Sequence, residues 1–291
     1  MADLLLLMLP LALLFFLLHH ASPIKALLTR AKSVLAPELS TVWKPQPASI
    51  FVTDHETAHS LLIQNTLPMV SAGAPFVTTS HRRSFTRRGS TALQWIMANL
   101  VKRPDIQEAV RREIDAVVNA DADEVSENVL GELEYLHAVV MKTLRLHPPT
   151  SFAFRQVMEE DHVVHNGQRI PVGTKVYFPL AAIARDSTAW DNPDEFKPQR
   201  FLTSKGASEG TDNTIKMMPF GGGRRICPGR GVAMLHLSYF TANLVRVFRW
   251  REGEGELAVD LQLHVEFFTV MKRPLCAHLE LRGTEIKTRL N

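Results

Sequence analysis

The sequence predicts a mainly α-helical protein with small β-sheets and a single N-terminal transmembrane helix. Several stretches repeat apolar residues every three to four positions, which is the period of an amphipathic helix. Shorter stretches rich in β-branched and aromatic residues are bounded by turn-forming residues, which is typical of strands. The chain begins with an uncharged apolar run. With 45% hydrophobic and 22% charged residues, the 291-residue chain has the composition of a globular protein.

The N-terminal run predicts a membrane anchor over residues 1–20. Residues 4–18 carry no charge, although a full helical span needs about 20 apolar residues. A cleaved signal peptide is the alternative, but Asp3 stands where a signal peptide carries basic residues. Basic residues follow the run, and because such residues stay cytosolic, the body of the protein is predicted to be cytosolic. Residues 21–40 are interpreted as a linker.

The elements of the body are predicted in order from residue 41. Residues 41–53 predict short strands, and Asp54 predicts the N-cap of a helix over residues 55–64. Residues 66–90 show no sustained period, so we interpret them as a loop. The remaining predictions are helices over residues 90–104, 105–117, 132–147 and 228–249, a loop over 203–215, strands over 152–179 and a strand pair over 265–281.

Local signals support two of these predictions. The helix that ends at His147 carries apolar residues at Leu133, Leu136, Val140 and Leu144, which share one helical face. Two prolines follow it, and a residue before proline avoids the helical region. An Asn-Gly pair within the strands over 152–179 predicts a tight hairpin turn.

Composition and charge exclude several classes of protein. The net charge is +3, from 33 basic and 30 acidic residues, which is too balanced to indicate a nucleic-acid partner. The two cysteines, Cys227 and Cys276, exclude a disulfide-dense scaffold and a four-cysteine zinc site. The twelve histidines include no H-E-x-x-H motif.

A glycine-rich loop around Cys227 is the strongest chemical signal. It reads PFGGGRRICPGR over residues 219–230 and precedes the last predicted helix. Consecutive glycines let a backbone turn tightly and approach a flat group. The positive end of a helix and neighbouring arginines favour a thiolate, which acts as a nucleophile or a metal ligand. A buried cysteine beside a turn and a phosphate cradle are the alternatives, although no G-K-[ST] follows.

This loop resembles the haem-binding signature of the cytochrome P450 family, F-x-x-G-x-R-x-C-x-G. The specified positions are Phe220, Gly223, Arg225, Cys227 and Gly229. The resemblance implies a P450 fold in which Cys227 is the thiolate ligand of the iron of haem b, which favours cleavage of the O–O bond. It also implies that Arg225 pairs with a haem propionate and that Phe220 packs near the cysteine.

Further matches make the chain similar to a plant microsomal member of the family. Residues 184–201 look like the family's stretch ending in P-x-R-F, residues 143–149 like the end of its K helix, and residues 41–64 like its beginning. The resemblance covers about residues 1–75 and 90–291. It implies a monooxygenase that inserts one atom of O2 into a small organic substrate. It also implies NADPH electrons delivered by NADPH-cytochrome P450 reductase, and a cytosolic haem domain anchored to the endoplasmic reticulum membrane.

The chain departs from the family's pattern in length and in its central helix. Complete members are longer, and the missing helices fall near residues 75–90, so residues 41–291 are predicted to form an incomplete haem domain. Arg87 and Arg88 stand where the family's oxygen-activating acid and threonine belong, and Thr91 lies at the wrong turn of the helix. No catalytic residue is therefore assigned.

A third departure affects the E-x-x-R motif of the K helix. Lys142 replaces the glutamate, three positions before Arg145. In the family, the glutamate and arginine of this motif meet the arginine of the P-x-R-F element, which is Arg200 here. Three cations would then gather, and an unpaired buried charge costs several kcal/mol. We predict that Lys142 disturbs assembly of the haem domain.

Three hypotheses about function follow. The first is a P450 monooxygenase. The second is a catalytically inactive remnant that binds haem or does not fold, indicated by the three departures. The third is a membrane-anchored interaction protein without haem, for which Cys227→Ala would change no spectrum.

Overall fold

A computed structural model describes residues 40–41, 49–64, 69–70, 81–158, 164–165, 168–202, 215–255, 258–265 and 268–282. Within these ranges, helices surround small sheets, which confirms the predicted class of fold. The predicted anchor at residues 1–20, and the predicted linker up to residue 39, lie outside the described residues. Among the helices in the described ranges, none is both long and apolar enough to cross a membrane.

The first described helix, α1, spans His55–His59 and continues as a π-helical turn over Ser60–Gln64. Its N-cap is Asp54, whose side chain accepts a hydrogen bond of 2.7 Å from the Thr57 backbone amide. The capped amide is one of those a helix start leaves without a partner. The predicted cap and helix are confirmed.

Helix α2 spans His81–Val101, so the predicted loop over residues 66–90 is wrong at its C-terminal end. A short strand, Met69–Val70, also falls within that range. The second half of α2 is tightly packed, with Trp95, Ile96 and Leu100 fully buried. This packing extends a helix whose first turns carry no apolar period and include a glycine, and most helical stability in proteins comes from such packing.

Three further helices pack with α2 around the main core. They are α3 (Pro104–Val117), α4 (Glu134–Leu146) and α6 (Arg230–Val247). The predicted apolar face of α4 is confirmed, because Leu133, Leu136, Val140 and Leu144 are all at most 1% exposed. Helix α4 ends at Leu146, before the two prolines.

The largest sheet lies beside this helical core. Its strands are β1 (Ser40–Thr41), β2 (Ser49–Phe51), β3 (Met69–Val70), β4 (Phe152–Val157) and β7 (Lys175–Pro179), in the order β1-β2-β7-β4-β3. Strands β2 and β7 are parallel, and the other pairs are antiparallel. A short helix, α5 (Leu180–Ile183), follows β7. The buried face of the sheet packs against α1, and this second core meets the loop that precedes α6.

Three two-stranded sheets complete the described fold. They pair β5 (Val164–His165) with β6 (Gln168–Arg169), β8 (Phe248–Glu252) with β11 (Ala277–Leu281), and β9 (Leu263–Val265) with β10 (Thr269–Met271). The register of β5 and β6 leaves two residues between the strands, as the predicted Asn-Gly hairpin requires, although those two lie outside the described residues.

The prediction of one strand pair over residues 265–281 is wrong in its partners. Strand β11 pairs with β8, with Leu279 opposite Trp250, and only β9 and β10 pair with each other. Pro274 lies between β10 and β11, and proline does not continue a strand, so the chain leaves one sheet before it joins the other.

Candidate functional site

Cys227 lies in a loop that closes on itself immediately before helix α6. Its backbone amide donates a 2.8 Å hydrogen bond to the Phe220 carbonyl, and its own carbonyl accepts a 3.3 Å bond from the Arg230 amide. Gly229 is the N-cap of α6. The helix was predicted from residue 228 and begins at Arg230, so Cys227 occupies the expected place at its N-terminal end.

The glycines of this loop meet two different requirements. Gly221 and Gly223 have φ values of +78° and +67°, a conformation in which L residues with a side chain are strained. A Cβ at Gly223 would also lie 2.4 Å from the Leu62 carbonyl oxygen. Gly223 thus fits the loop against the end of the π-helical turn, which joins the loop to the second core.

Cys227 lines a cavity of about 700 Å³. Three of the other predicted residues, Phe220, Arg225 and Gly229, line the same cavity. Gly223 is not among its lining residues in the described part of the chain. The remaining walls come mainly from apolar side chains of five elements and the loop, among them Ala92, Leu93, Leu144, Ala153, Leu180, Leu237 and Phe240.

Arg155, on strand β4, is a cavity residue that the sequence analysis missed. It is 6% exposed, and it donates hydrogen bonds of 2.9 Å to the Phe154 carbonyl and 3.3 Å to the Gly222 carbonyl. Burial and the nearby Arg225 guanidinium lower the pKa of Arg155. The sequence did offer a signal for Arg155, because it is an arginine at a buried position of an alternating strand. A buried charged group needs a partner, so such a residue is a candidate for a binding site.

The cavity has the composition that haem b requires. Its apolar walls suit a flat hydrophobic macrocycle, and Cys227 offers a thiol for the iron. Arg155 and Arg225 supply two positive charges, while the described lining residues include no acidic side chain. A ligand that carries carboxylates supplies the missing negative charge, so the residues present fit the group that the resemblance implies.

The position of the expected oxygen-activating pair is on helix α2. Gly89 and Ser90 line the cavity from this helix. Thr91 is buried at 6% exposure and is not among the described lining residues. The side chains of Arg87 and Arg88 lie outside the described part of the structure.

Lys142 and Arg145 lie on helix α4 and are both fully buried. Within the described structure, the Lys142 ammonium has no hydrogen-bond partner. Burial and, to a smaller extent, the charges of Arg145 and Arg200 together lower the pKa of Lys142 to about 7, against a smaller opposing effect of Glu195. We name Lys142, Arg145 and Arg200 the K-helix cluster.

The two arginines of the K-helix cluster are bonded to backbone carbonyls. Arg145 donates to the carbonyls of Ala184 and Pro193, and its guanidinium carbon lies 4.8 Å from the centre of the Trp190 ring. Arg200 pairs with the half-exposed Glu195 at 3.2 Å. The only acid that the described structure pairs with the cluster is therefore at its solvent edge.

Comparison with characterised proteins gives plant relatives. The chain is 42% identical over 198 residues to Cytochrome P450 89A9 of Arabidopsis thaliana, which covers 65% of this chain and 38% of that protein. It is 43% identical over 162 residues to Sugiol synthase of Salvia miltiorrhiza, covering 56% and 32%. Ferruginol synthase of Salvia pomifera is 42% identical over 184 residues, covering 63% and 40%. The chain thus spans well under half the length of these relatives.

The family model described as Cytochrome P450 matches residues 86–274. This range contains the cavity walls contributed by α2, α4, β4 and α6, together with the whole loop of Cys227. It also contains the K-helix cluster. The chain therefore belongs to the cytochrome P450 family.

Proposed function

We propose that Cys227 is the thiolate ligand of a haem b iron and that the chain is a haem-thiolate monooxygenase of the cytochrome P450 family. The observation that carries this proposal is the apolar cavity that brings Cys227 together with two arginines. Haem, when bound, supplies the iron centre that binds and activates O2, and a thiolate ligand favours cleavage of the O–O bond. The reaction inserts one oxygen atom into a small organic substrate.

Each residue of the cavity has a role that follows from its chemistry. Cys227 holds the iron, and the closed loop fixes the position of its sulphur through the bond from its amide to Phe220. Arg155 and Arg225 hold the carboxylates of the cofactor by charge-assisted hydrogen bonds. The ring of Phe220 and the apolar walls exclude water from the cysteine, which strengthens these electrostatic interactions.

The cellular setting is part of the same proposal. Residues 1–20 anchor the chain in the endoplasmic reticulum membrane, and residues 41–291 form a cytosolic haem domain. NADPH-cytochrome P450 reductase delivers the electrons, which originate from NADPH. An internal deletion near residues 75–90 is part of this proposal.

A second candidate function is a haem-binding protein without turnover. It is favoured by the fully buried Lys142, which has no partner among the described residues, and by the arginines in place of the acid and threonine on α2. The third hypothesis, an interaction protein without haem, predicts that no cofactor enters the cavity. The three candidates differ in cofactor uptake and in electron use, so two measurements separate them.

The first measurement is the carbon monoxide difference spectrum of the full chain, reconstituted with haem and reduced. We expect the red-shifted Soret band of a thiolate-ligated complex, and we expect Cys227→Ser to abolish it. Cys276→Ser is the matched control, because Cys276 is exposed and outside the cavity. No haem uptake would contradict the proposal, and a band unchanged in Cys227→Ser would assign the iron to another ligand.

The second measurement replaces the chemical reductant with NADPH and the reductase. Formation of the same band shows that the reductase delivers electrons to the iron, and this measurement does not require the substrate to be known. Consumption of O2 beyond that of the reductase alone then supports the monooxygenase. A normal band with no additional O2 consumption supports the haem-binding protein without turnover.

A further inference from the structure

A second cavity, of about 400 Å³, lies between helix α3 and the β8–β11 sheet. Four arginines line it: Arg111, Arg112, Arg249 and Arg282. None of the residues that line it also lines the cavity of Cys227. Arg111 and Arg112 lie on α3, Arg249 lies on β8, and Arg282 directly follows β11. Their convergence is therefore a property of the tertiary structure.

The acidic residues of this second cavity are already engaged. Glu108 bonds Arg282 at 2.7 Å and Arg249 at 3.3 Å, and Asp115 forms an ion pair with Arg111. The third acid, Glu280, pairs at 3.0 Å with Arg251, an arginine that does not line the cavity. Two acids therefore pair with three of the four lining arginines, and four arginines against three acids leave the cavity an excess of positive charge.

The arginines are close enough to affect one another. Burial lowers the pKa of Arg111, and the charges of Arg282 and Arg246 lower it further. The Nε atom of Arg282 is buried without a hydrogen-bond partner among the described residues. The exposed guanidinium of Arg112 donates to the Glu108 carbonyl at 3.4 Å, which is a long bond. The arginines of this cavity therefore have more N–H donors and more positive charge than the acidic residues around them engage.

We propose that this cavity binds the phosphate group of a small anionic ligand. Arginine guanidinium groups present paired N–H donors in a fork that matches phosphate oxygens. A phosphate dianion placed among Arg111, Arg112 and Arg249 neutralises the charge that their acids leave uncompensated. The cavity is larger than one phosphate, so it also accommodates the polar group that carries it. This site does not depend on the proposed function, because it shares no residue with the haem cavity.

The test is calorimetric titration of the full chain with pyrophosphate at constant ionic strength. We expect saturable binding to one site, and we expect the double variant Arg112→Gln, Arg249→Gln to weaken it about tenfold or more. Both arginines are exposed, so the fold tolerates their replacement. The double variant Lys272→Gln, Arg273→Gln is the matched control, because it removes two exposed cations that do not line the cavity.

Two results would overturn the proposal. One is the absence of saturable pyrophosphate binding by the unmodified chain. The other is equal binding by the Arg112→Gln, Arg249→Gln variant and by the Lys272→Gln, Arg273→Gln variant, which would assign the effect to net charge alone. Arg249→Lys gives a further check: it keeps the charge and loses the fork, so we expect affinity between those of the unmodified chain and Arg249→Gln.

The source of the phosphate is distinguished by vesicles. The full chain is mixed with vesicles of phosphatidylcholine alone or with added phosphatidic acid. A gain with phosphatidic acid that the double variant loses supports the proposal and assigns a lipid headgroup. Pyrophosphate binding without such a gain supports the proposal and assigns a soluble phosphate compound.

Discussion

Positive side chains lie near two faces of helix α4, and their surroundings differ. Leu144 contributes to the cavity of Cys227, where Arg155 and Arg225 border the space that we propose an anionic cofactor fills. Lys142 and Arg145 lie on another face of the same helix, where the described structure offers a fully buried ammonium no partner. A buried positive charge costs little free energy where a bound anionic ligand can pair with it. It destabilises the fold where the only possible partner is an acidic residue that the chain lacks at that place.

The two regions also differ in what holds them. The loop of Cys227 is fixed by short-range backbone bonds and by glycines whose conformation is set locally. The K-helix cluster requires matched charges from segments that are far apart in sequence, so one substitution removes the match. We therefore expect the loop to keep its geometry in a chain whose cluster is incomplete.

Gly223→Ala is expected to break the loop and has the largest effect. The new Cβ would meet the Leu62 carbonyl at 2.4 Å in a left-handed conformation. Strain and overpacking together destabilise the fold by about 3 kcal/mol. Urea unfolding followed by circular dichroism measures this, with Gly231→Ala as control, because a Cβ at Gly231 meets nothing within 4 Å. Equal effects of the two variants would remove the special role of Gly223.

Lys142→Glu is expected to repair the K-helix cluster. The carboxylate replaces an unpaired ammonium beside Arg145 and Arg200, which raises the free energy of unfolding by roughly 2 kcal/mol. It should also raise haem retention after dilution, measured from the Soret absorbance. Lys216→Glu, at an exposed lysine, changes the net charge equally and should alter neither quantity. No gain in haem retention would exclude Lys142 as the cause of weak assembly.

The pH dependence of stability should identify the same ammonium. The pKa of Lys142 is about 7 in the folded chain, below its ordinary value of 10.5. Between these values the unfolded chain holds the proton and the folded chain does not, so stability rises with pH. We expect a gain of about 1 kcal/mol from pH 7 to pH 8, measured by urea unfolding. The penalty is fully present below pH 7, where both states are protonated.

Lys142→Met is the control for this pH dependence and should flatten the rise above pH 7. Burial also lowers the pKa of His147 to about 3, so the folded chain holds His147 neutral where the unfolded chain protonates it. Stability should therefore rise between about pH 3 and pH 6.5 in both proteins. A rise above pH 7 that persists in Lys142→Met would assign it to another group.

Asp54→Ala should have the smallest effect on the free energy of unfolding. It tests how far the loop of Cys227 depends on helix α1. Loss of the bond from the Thr57 amide weakens helix α1 by about 0.5 to 1 kcal/mol. Leu62, which Gly223 contacts, lies in the turn that continues α1, so the loop is weakened only indirectly. Glu56→Ala, at an exposed position of the same helix, is the matched control for urea unfolding.

The sequence predicted the parts of the structure that short-range signals determine. The cap at Asp54, the buried face of α4 and the helix after Cys227 each follow from residues within a few turns of one another. Arg155 was missed because its bond to the Gly222 carbonyl joins residues 67 positions apart. The pairing of β8 with β11 was missed for the same reason, since a strand pattern does not identify its partner.

The start of α2 was missed for a different reason. Its first turns have no apolar repeat, and the helix is secured by the packing of Trp95 and its neighbours further along. The accumulation of cations around Lys142 was inferred only through resemblance, because a lysine within an apolar helix carries no pattern of its own. Whether it disturbs assembly is what Lys142→Glu decides.

The fluorescence of Trp95 provides an intrinsic signal for cofactor binding. Its indole stacks on the His147 ring at 3.9 Å and donates a 3.1 Å bond to the Thr269 carbonyl, in full burial. A protonated imidazole quenches indole emission, whereas this imidazole stays neutral at physiological pH because its pKa is lowered to about 3. Ala92 lies on the same helix, one turn away, and lines the cavity of Cys227. Binding of haem should therefore quench the fluorescence of Trp95 by energy transfer. Cofactor binding can then be followed in time without an added label.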